Sequence, residues 1–300
     1  MEKFKKLVAI EPVFLQENSR EEIRQYCEEA VFYDEDAADA AEIVRRIGDA
    51  DGIFVSFKHP IGKDILGQCP NLKYIGMCCS LYSENSSNVD IVYAREHGIT
   101  VTGVRDYGDE GVAEYVVSEL IQILHGTGGY EPFFGIESEL KDLKVGILGM
   151  GATAQVIARA LNFFHADISY YSRTRKMELE NQYGYQYREL DRLLQENDVV
   201  CSCLSKNVTL LHERELKLFG EHKILFNTSL SQPFDIDAMK QWLKGKNTHY
   251  FCDTRMGLGD EELLNEPNVH CIQKSSGTTR QAIARLNEKV LQNLRSYVNQ

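Results

Sequence analysis

The sequence lacks the features that mark several large classes of protein. Its net charge of -12 argues against general nucleic-acid binding, because a polyanion requires a basic surface. No apolar run approaches the roughly 18 residues that a membrane span needs. None of the 8 cysteines belongs to a Cys-x-x-Cys pair, so reduced core thiols are predicted and no metal site is expected.

The N-terminal residues also lack the features of a secretory leader. A short basic stretch, MEKFKK, leads directly into strand-like residues 7–10, without an apolar leader core or a cleavage site. We therefore expect a cytoplasmic protein with no membrane partner. With 300 residues and 43% hydrophobic content, the chain is long enough for two packed domains.

Strand-like and helix-like segments alternate along the whole chain. Strands are predicted at 7–14, 52–57, 74–79, 100–104, 199–204, 224–228, 248–253 and 268–272. Helices are predicted at 21–28, 37–47, 89–97, 110–125, 213–219, 235–243 and 278–298. Parallel strands joined by right-handed crossovers give an α/β protein with two doubly wound parallel-sheet domains.

The segment KVGILGMGATA, residues 144–154, has the pattern of a dinucleotide-binding turn, the dinucleotide-binding fingerprint. An apolar strand runs into Gly149-x-Gly151-x-x-Ala154, and a helix-like run follows. In such a turn Gly149 allows the tight bend, Gly151 lets a pyrophosphate approach the backbone, and Ala154 lets the helix pack on the strand. Ala152 and Thr153 begin the helix, whose N-terminus would receive the phosphates.

The end of the next strand, residues 167–172, bears on the form of the cofactor. NAD sites usually have an acidic residue there, which bonds the ribose 2'-hydroxyl. Here Ser172 is followed by Arg173, Thr174, Arg175 and Lys176, a cluster that would attract a 2'-phosphate. NADP, as NADPH, is the predicted cofactor with NAD as the alternative; a solvated basic turn would also explain the cluster.

Six segments occur in the order found in the D-isomer-specific 2-hydroxyacid dehydrogenase family, and together they span nearly the whole chain. They are PNLKYIG (70–76), AREHGITVT (94–102), GVAEY (111–115), the fingerprint, ILFNTS (224–229) and DIDAM (235–239). The chain resembles this family through these segments. The resemblance implies a discontinuous flavodoxin-like substrate domain, residues 1–105 and 278–300, and a Rossmann nucleotide-binding domain, residues 106–277.

The resemblance also implies a homodimer that reduces a small-molecule substrate, a 2-keto acid, to a D-2-hydroxy acid by hydride transfer from a nicotinamide. Asp253 resembles the residue that bonds the nicotinamide carboxamide in this family. Further cofactor contacts are expected at strand ends, from Leu204, Ser205, Thr228 and Ser229.

The chain departs from the family at the residues that handle the substrate. Leu230 stands where the family has an Arg that holds the substrate carboxylate, and Lys274 stands where it has the proton-donating His. Lys274 is predicted either to donate the proton from a buried position or to be only a basic residue at a strand end.

Four further residues are catalytic candidates. Arg255, two residues beyond Asp253, is predicted to point to the same side of its strand and to clamp an anion; the alternative is an exposed loop arginine. Lys58 and His59 follow the strand 52–57, and Tyr82 lies in the loop after the strand 74–79. His59 would otherwise be a surface or capping residue.

The leading hypothesis is an NADPH-linked oxidoreductase that acts on a small carbonyl compound with an atypical catalytic set. Loss of the usual Arg and His also fits a catalytically inactive regulator or sensor that binds NAD(P). A third alternative is the reduction of an imine without a carboxylate, which would need no clamp at Leu230.

Overall fold

The computed structural model describes residues 3–299, and the chain divides into two compact units. The first contains residues up to Tyr107 together with those from Thr279 onward, and the second contains Gly108–Thr278. Each unit has its own sheet and its own hydrophobic core. The prediction of two doubly wound parallel sheets is confirmed.

The first unit is built on a five-stranded parallel sheet. Its strands are β1 (Phe4–Ala9), β2 (Cys27–Phe32), β3 (Gly52–Val55), β4 (Tyr74–Ser80) and β5 (Thr100–Val104). Its helices are α1 (Glu17–Ile23), α2 (Ala40–Ile47), α3 (Lys63–Leu66), α4 (Ile91–Glu96) and, at the end of the chain, α11 (Arg280–Val298). The strand order β2-β1-β3-β4-β5 is the flavodoxin-like order.

The second unit has a seven-stranded parallel sheet. Its strands are β6 (Lys144–Leu148), β7 (Asp167–Tyr171), β8 (Gln186–Tyr187), β9 (Val199–Ser202), β10 (Lys223–Asn227), β11 (Thr248–Cys252) and β12 (Val269–Cys271). Its helices are α5 (Asp109–His125), α6 (Ala152–Phe163), α7 (Met177–Tyr183), α8 (Leu190–Glu196), α9 (Glu213–Phe219) and α10 (Ile236–Trp242). The strand order is β12-β11-β10-β9-β6-β7-β8, so the direction in which strands are added to the sheet reverses between β6 and β9, as in a Rossmann sheet.

The central strands are buried on both faces because helices cover both sides of each sheet. All four residues of β3 are buried, as are all four residues of β9. In the first unit, α11 packs on one face of the sheet through Leu286, Val290 and Leu294, which are spaced four residues apart. The last helix is therefore part of the core of the first unit.

The largest error in the predicted elements concerns β2. The segment 21–28 was expected to be helical, but α1 ends at Ile23, a 3-10 turn covers Arg24–Tyr26, and β2 begins at Cys27. β2 lies at the edge of the sheet and pairs only with β1, so Glu28 and Glu29 remain exposed. An edge strand with charged residues has a weak sequence pattern, because little of it needs to be apolar.

A buried asparagine connects α11 to the loop after β1. Asn287 Oδ1 accepts a hydrogen bond from the Gln16 amide at 2.8 Å, and its Nδ2 donates to the Phe14 carbonyl at 2.9 Å. We expect Asn287→Leu to lower the free energy of opening of α11 by about 2–4 kcal/mol, because two backbone groups lose their partners. Hydrogen exchange of the α11 amides measures this quantity.

The matched control is Gln281→Leu, a change at an exposed position on the same helix. It should alter the opening free energy by less than about 0.5 kcal/mol. Equal protection in the two variants would show that the Asn287 hydrogen bonds contribute nothing to stability.

Candidate functional site

The turn after β6 has the geometry that its glycines predict. Gly149 has φ +87°, and a Cβ on it would lie 2.8 Å from the Cys203 carbonyl oxygen. Its amide donates to the Tyr171 carbonyl at 2.8 Å, which fixes the turn against β7. A side chain at this position would therefore be strained both by the backbone conformation and by contact.

The N-terminus of α6 is open to a ligand. Gly151 is the N-cap residue, no side chain caps the helix, and its first turn contains no acidic residue. A Cβ on Gly151 would meet no heavy atom within 4 Å. The backbone amides of this helix end can therefore donate hydrogen bonds to the pyrophosphate of a dinucleotide, and the residues present fit that group.

Two other residues of the first turn of α6 have structural contacts. Thr153 donates a hydrogen bond from its hydroxyl to the Asp109 carboxylate at the start of α5. Ala154 is completely buried in the core of the second unit, where it lets α6 pack closely on the sheet. Ala152 is half-buried, and the contacts of Thr153 and Ala154 hold the helix start in place.

Some residues of the basic segment after β7 already have partners within the chain. Arg175 forms a two-pronged ion pair with Glu180, at 2.8 and 2.7 Å, and these bonds hold the pKa of that carboxyl below its usual value. Ser172 donates its hydroxyl to the Thr174 carbonyl at 2.6 Å. Arg173 is exposed, and its guanidinium has no hydrogen bond or ion pair within residues 3–299. Arg173 is thus the arginine of this cluster that is available to a phosphate.

The carboxyl ends of β9 and β10 also bear polar groups. Thr228 donates its hydroxyl to the Ser202 carbonyl at 3.0 Å, while Leu204 is half-buried and Ser205 is exposed. The hydroxyl of Ser229 is buried and has no hydrogen-bond partner among the described residues. A buried hydroxyl without a partner is unusual and marks this strand end as a place for a polar ligand.

Asp253 directly follows β11 and is buried. Its Oδ2 accepts hydrogen bonds from the amide and the hydroxyl of Ser276, at 2.9 and 2.8 Å. Its backbone carbonyl accepts from the Lys274 amide at 2.8 Å. The carboxylate is thus held in one orientation, with Oδ1 free of partners in the described part of the chain.

The Lys274 backbone is hydrogen-bonded to that of Asp253, but the Lys274 side chain is exposed. No hydrogen bond or ion pair of its ammonium group is found within residues 3–299. The burial on which a proton-donating lysine would depend is therefore missing, whereas the free ammonium suits an anion.

The predicted strand geometry of Arg255 is wrong. β11 ends at Cys252, and Arg255 begins a 3-10 turn, Arg255–Gly257, so the alternation of side chains along a strand does not reach it. Its guanidinium donates to Gln273 Oε1 at 2.9 Å and to Glu261 Oε1 at 3.2 Å. Binding of a substrate anion by Arg255 would have to displace these partners.

In the first unit, Lys58 and Tyr82 have local contacts. The Lys58 ammonium is paired with both carboxylate oxygens of Asp36, at 2.8 and 2.7 Å. The Tyr82 ring is half-exposed and lies 5.7 Å from the Arg105 guanidinium, a cation–π contact. The charge of Lys58 is therefore already balanced within its own unit.

The His59 ring lies against a carboxylate that the sequence reasoning missed. Its Nδ1 is hydrogen-bonded to Glu11 Oε2, and Glu11 is completely buried. Glu11 follows the apolar end of β1, and His59 lies in the loop after β3, the neighbouring strand. A carboxylate directly after a buried apolar strand was the available signal, because the ends of parallel strands lie at one edge of the sheet.

A family model for the catalytic domain of D-isomer specific 2-hydroxyacid dehydrogenases matches residues 7–300. The chain belongs to the D-isomer specific 2-hydroxyacid dehydrogenase family. A glyoxylate reductase of Thermococcus litoralis is 26% identical over 302 residues, covering 93% of this chain and 89% of that protein. A hydroxypyruvate reductase of Blautia hydrogenotrophica is 24% identical over 293 residues, covering 90% of this chain and 89% of that protein.

The fold of the family is also seen in solved structures. An acyclic imino acid reductase, Bsp5, in complex with NADPH and D-Arg superposes with a TM-score of 0.83. It is 22% identical in sequence, and the match covers 98% of this chain and 97% of that one. At this identity the likeness concerns the fold alone.

Family membership makes the chain an oxidoreductase acting on CH-OH donors, with a small-molecule substrate. The family and the fingerprint together support a nicotinamide cofactor. The alternative of an inactive regulator is not favoured, since the relatives above are named reductases. Among residues 3–299, no helix has the length and hydropathy of a membrane span, and no group of His, Cys, Asp and Glu is arranged to hold a metal.

Proposed function

We propose that this protein reduces a small 2-keto acid, of the size of glyoxylate or hydroxypyruvate, with NADPH as the hydride donor. The first unit would be the substrate domain and the second the dinucleotide-binding domain. The observation that carries the proposal is the open, uncapped start of α6 behind Gly149 and Gly151, in a chain of this dehydrogenase family.

The residues of the second unit divide into two groups by role. Those around the fingerprint and the strand ends would hold the cofactor: Gly149, Gly151, Ala152, Thr153, Ala154, Ser172, Arg173, Thr174, Arg175, Leu204, Ser205, Thr228, Ser229 and Asp253. Lys274 and Arg255 would bind the carboxylate of the keto acid, because both are exposed cations beside Asp253: Arg255 follows it closely in sequence, and the Lys274 amide donates to its backbone carbonyl. Leu230, also exposed, cannot do so.

The chemistry requires a hydride and a proton. A reduced nicotinamide supplies a hydride to the carbonyl carbon when it is bound. The protein must then protonate the developing alkoxide and hold the substrate anion. His59 and Lys274 have transferable protons; Tyr82 and Lys58, whose charge is already balanced by Asp36, would contribute contact area in the first unit.

The preference for NADPH is proposed to depend mainly on Arg173. Replacing it with serine should raise the Kd for NADPH by about tenfold, because one charge-assisted contact of about 1.4 kcal/mol is lost. The Kd for NADH should not change. Fluorescence titration with both cofactors measures the two constants. Arg159→Ser, an exposed arginine of α6, is the matched control. Equal losses for NADPH and NADH in Arg173→Ser would contradict the assignment.

The substrate class is tested by the rate of NADPH oxidation over a panel of compounds. Glyoxylate, hydroxypyruvate and pyruvate should be reduced, with simple aldehydes that lack a carboxylate reduced far more slowly. An absence of turnover with every keto acid, in protein that binds NADPH, would overturn the proposal.

Imine reduction is the second candidate function, and Leu230 favours it. An uncharged, half-exposed side chain stands where the family has the arginine that holds the substrate carboxylate. A substrate without a carboxylate would therefore lose no contact at this position. Equimolar mixtures of an aldehyde and an amine, whose imines carry no carboxylate, belong in the same panel. A rate with the mixture well above that with the aldehyde alone would select this reaction.

We also propose that the protein is a cytoplasmic homodimer, in keeping with the family resemblance. All eight cysteines are free thiols and six are buried, which suits a reducing compartment. The second unit exposes large apolar side chains, among them Ile136 and Phe163, which are 69% and 77% exposed. Light scattering should give twice the mass of one chain, and the mass of a single chain would contradict the dimer.

A further inference from the structure

A completely buried carboxylate stands at the carboxyl edge of the first sheet. Glu11 Oε1 accepts hydrogen bonds from the Ser56 amide at 2.8 Å and from the Ser56 hydroxyl at 2.7 Å. Its Oε2 is hydrogen-bonded to His59 Nδ1. No lysine or arginine pairs with Glu11 within residues 3–299, so the group that can balance its charge is the His59 ring.

The loop that carries His59 is fixed from the other side. Asn88 Nδ2 donates to the carbonyl of His59 at 2.6 Å and to that of Ser56 at 2.9 Å. The side-chain amide of Asn88 thus holds the backbone at Ser56 and at His59, the two residues that contact Glu11. The imidazole is oriented by Glu11 and its loop by Asn88, which limits the ring to one placement.

The orientation leaves Nε2 as the reactive atom. The His59 side chain is 23% exposed, and Nε2 has no hydrogen-bond partner in the described part of the chain. The adjacent cation, Lys58, is paired with Asp36. A carboxylate on Nδ1 sets which nitrogen faces the outside, as an orienting carboxylate does for a catalytic histidine.

We infer that His59 is the proton donor of the reaction and that buried Glu11 is its positioning residue. The inference rests on the proposed function and deepens it. As hydride adds to the carbonyl carbon, the π electrons of the C=O bond move to oxygen, and the proton on Nε2 passes to that oxygen. The ring becomes neutral and keeps its Nδ1–H bond to Glu11. A proton from water then returns to Nε2 through its exposed edge.

The first test separates proton donation from structure at His59. His59→Asn places an amide nitrogen near the position of Nδ1, so it retains the Glu11 contact but has no group at Nε2. We expect kcat to fall by about 10²–10⁴-fold, the usual contribution of a general acid, with the Kd for NADPH unchanged. His97→Ala, which removes an exposed histidine of the same unit, should leave kcat unchanged.

The second test concerns Glu11. Glu11→Gln has the same shape and keeps an acceptor for Ser56, but loses the charge, so kcat should fall by about 10–100-fold with KM within about twofold. Nitrogen-15 NMR of the labelled ring gives a readout independent of turnover. In the wild type the neutral ring should hold its proton on Nδ1; in Glu11→Gln the amide NH2 would donate to Nδ1, so the neutral proton should move to Nε2.

The outcomes separate this inference from the function on which it rests. Wild-type turnover of a keto acid, with a large fall of kcat in His59→Asn, supports both. Turnover in His59→Asn equal to the wild type overturns the role of His59 alone, as does a wild-type ring with its neutral proton on Nε2. A folded wild type that binds NADPH and reduces no substrate overturns the proposed function and the proton donor together.

Discussion

Gly151→Val is expected to weaken NADPH binding by at least about 100-fold, a loss of about 3 kcal/mol, while the protein remains folded. The backbone of Gly151, with φ -81° and ψ -168°, is accessible to any residue. A Cβ there meets no protein atom within 4 Å, so the fold does not oppose the change. The added methyl groups would instead occupy the space through which a pyrophosphate reaches the amides of α6.

The neighbouring glycine supplies the matched contrast. Gly149→Ala places a Cβ 2.8 Å from the Cys203 carbonyl oxygen in a backbone conformation with φ +87°, so it should destabilise the second unit. Titration calorimetry with NADPH and thermal unfolding of both variants separate the two effects. Wild-type affinity in Gly151→Val would show that the cofactor does not bind at this turn.

The second large effect is expected at Asp253. Asp253→Asn should lower kcat by about 100-fold with little change in the Kd for NADPH, because a small misplacement of the reacting ring slows transfer more than binding. The side chain is buried and its Oδ2 is fixed by two hydrogen bonds from Ser276, so its free oxygen points in one direction. Single-turnover kinetics would separate this loss from slower product release.

Ser276→Ala is the control for the Asp253 prediction. It removes the hydroxyl donor and retains the amide donor, so the carboxylate remains and kcat should fall by less than about tenfold. A weaker Kd for NADPH with unchanged kcat in Asp253→Asn would assign Asp253 to general cofactor binding rather than to placement of the ring.

The sheets and the cofactor turn could be predicted because their signals are local. The apolar runs of β3, β6 and β10 need no knowledge of distant residues, and neither does the spacing of Gly149 and Gly151. β2 was missed because an edge strand need not be apolar. The two-residue strand β8 was also missed, as it is too short for any periodicity to show.

The side-chain partners could not be predicted in the same way. Glu11 and His59 are 48 residues apart, and only the pairing of β1 with β3 brings them together. Arg175 was expected to be free for a phosphate, yet Glu180, one turn into α7, holds it in an ion pair. Such contacts depend on where helices and strands begin and end. Arg255 is an example, because β11 ends three residues before it.

The central claim, that this chain is an active reductase of 2-keto acids, is tested most directly by tracing the hydride. The wild-type protein is incubated with hydroxypyruvate and NADPH deuterated at the transferring position of the nicotinamide, and the product is examined by mass spectrometry and chiral chromatography. The account predicts D-glycerate with one deuterium at C2. Unlabelled glycerate, or no glycerate from protein that binds NADPH, would contradict it.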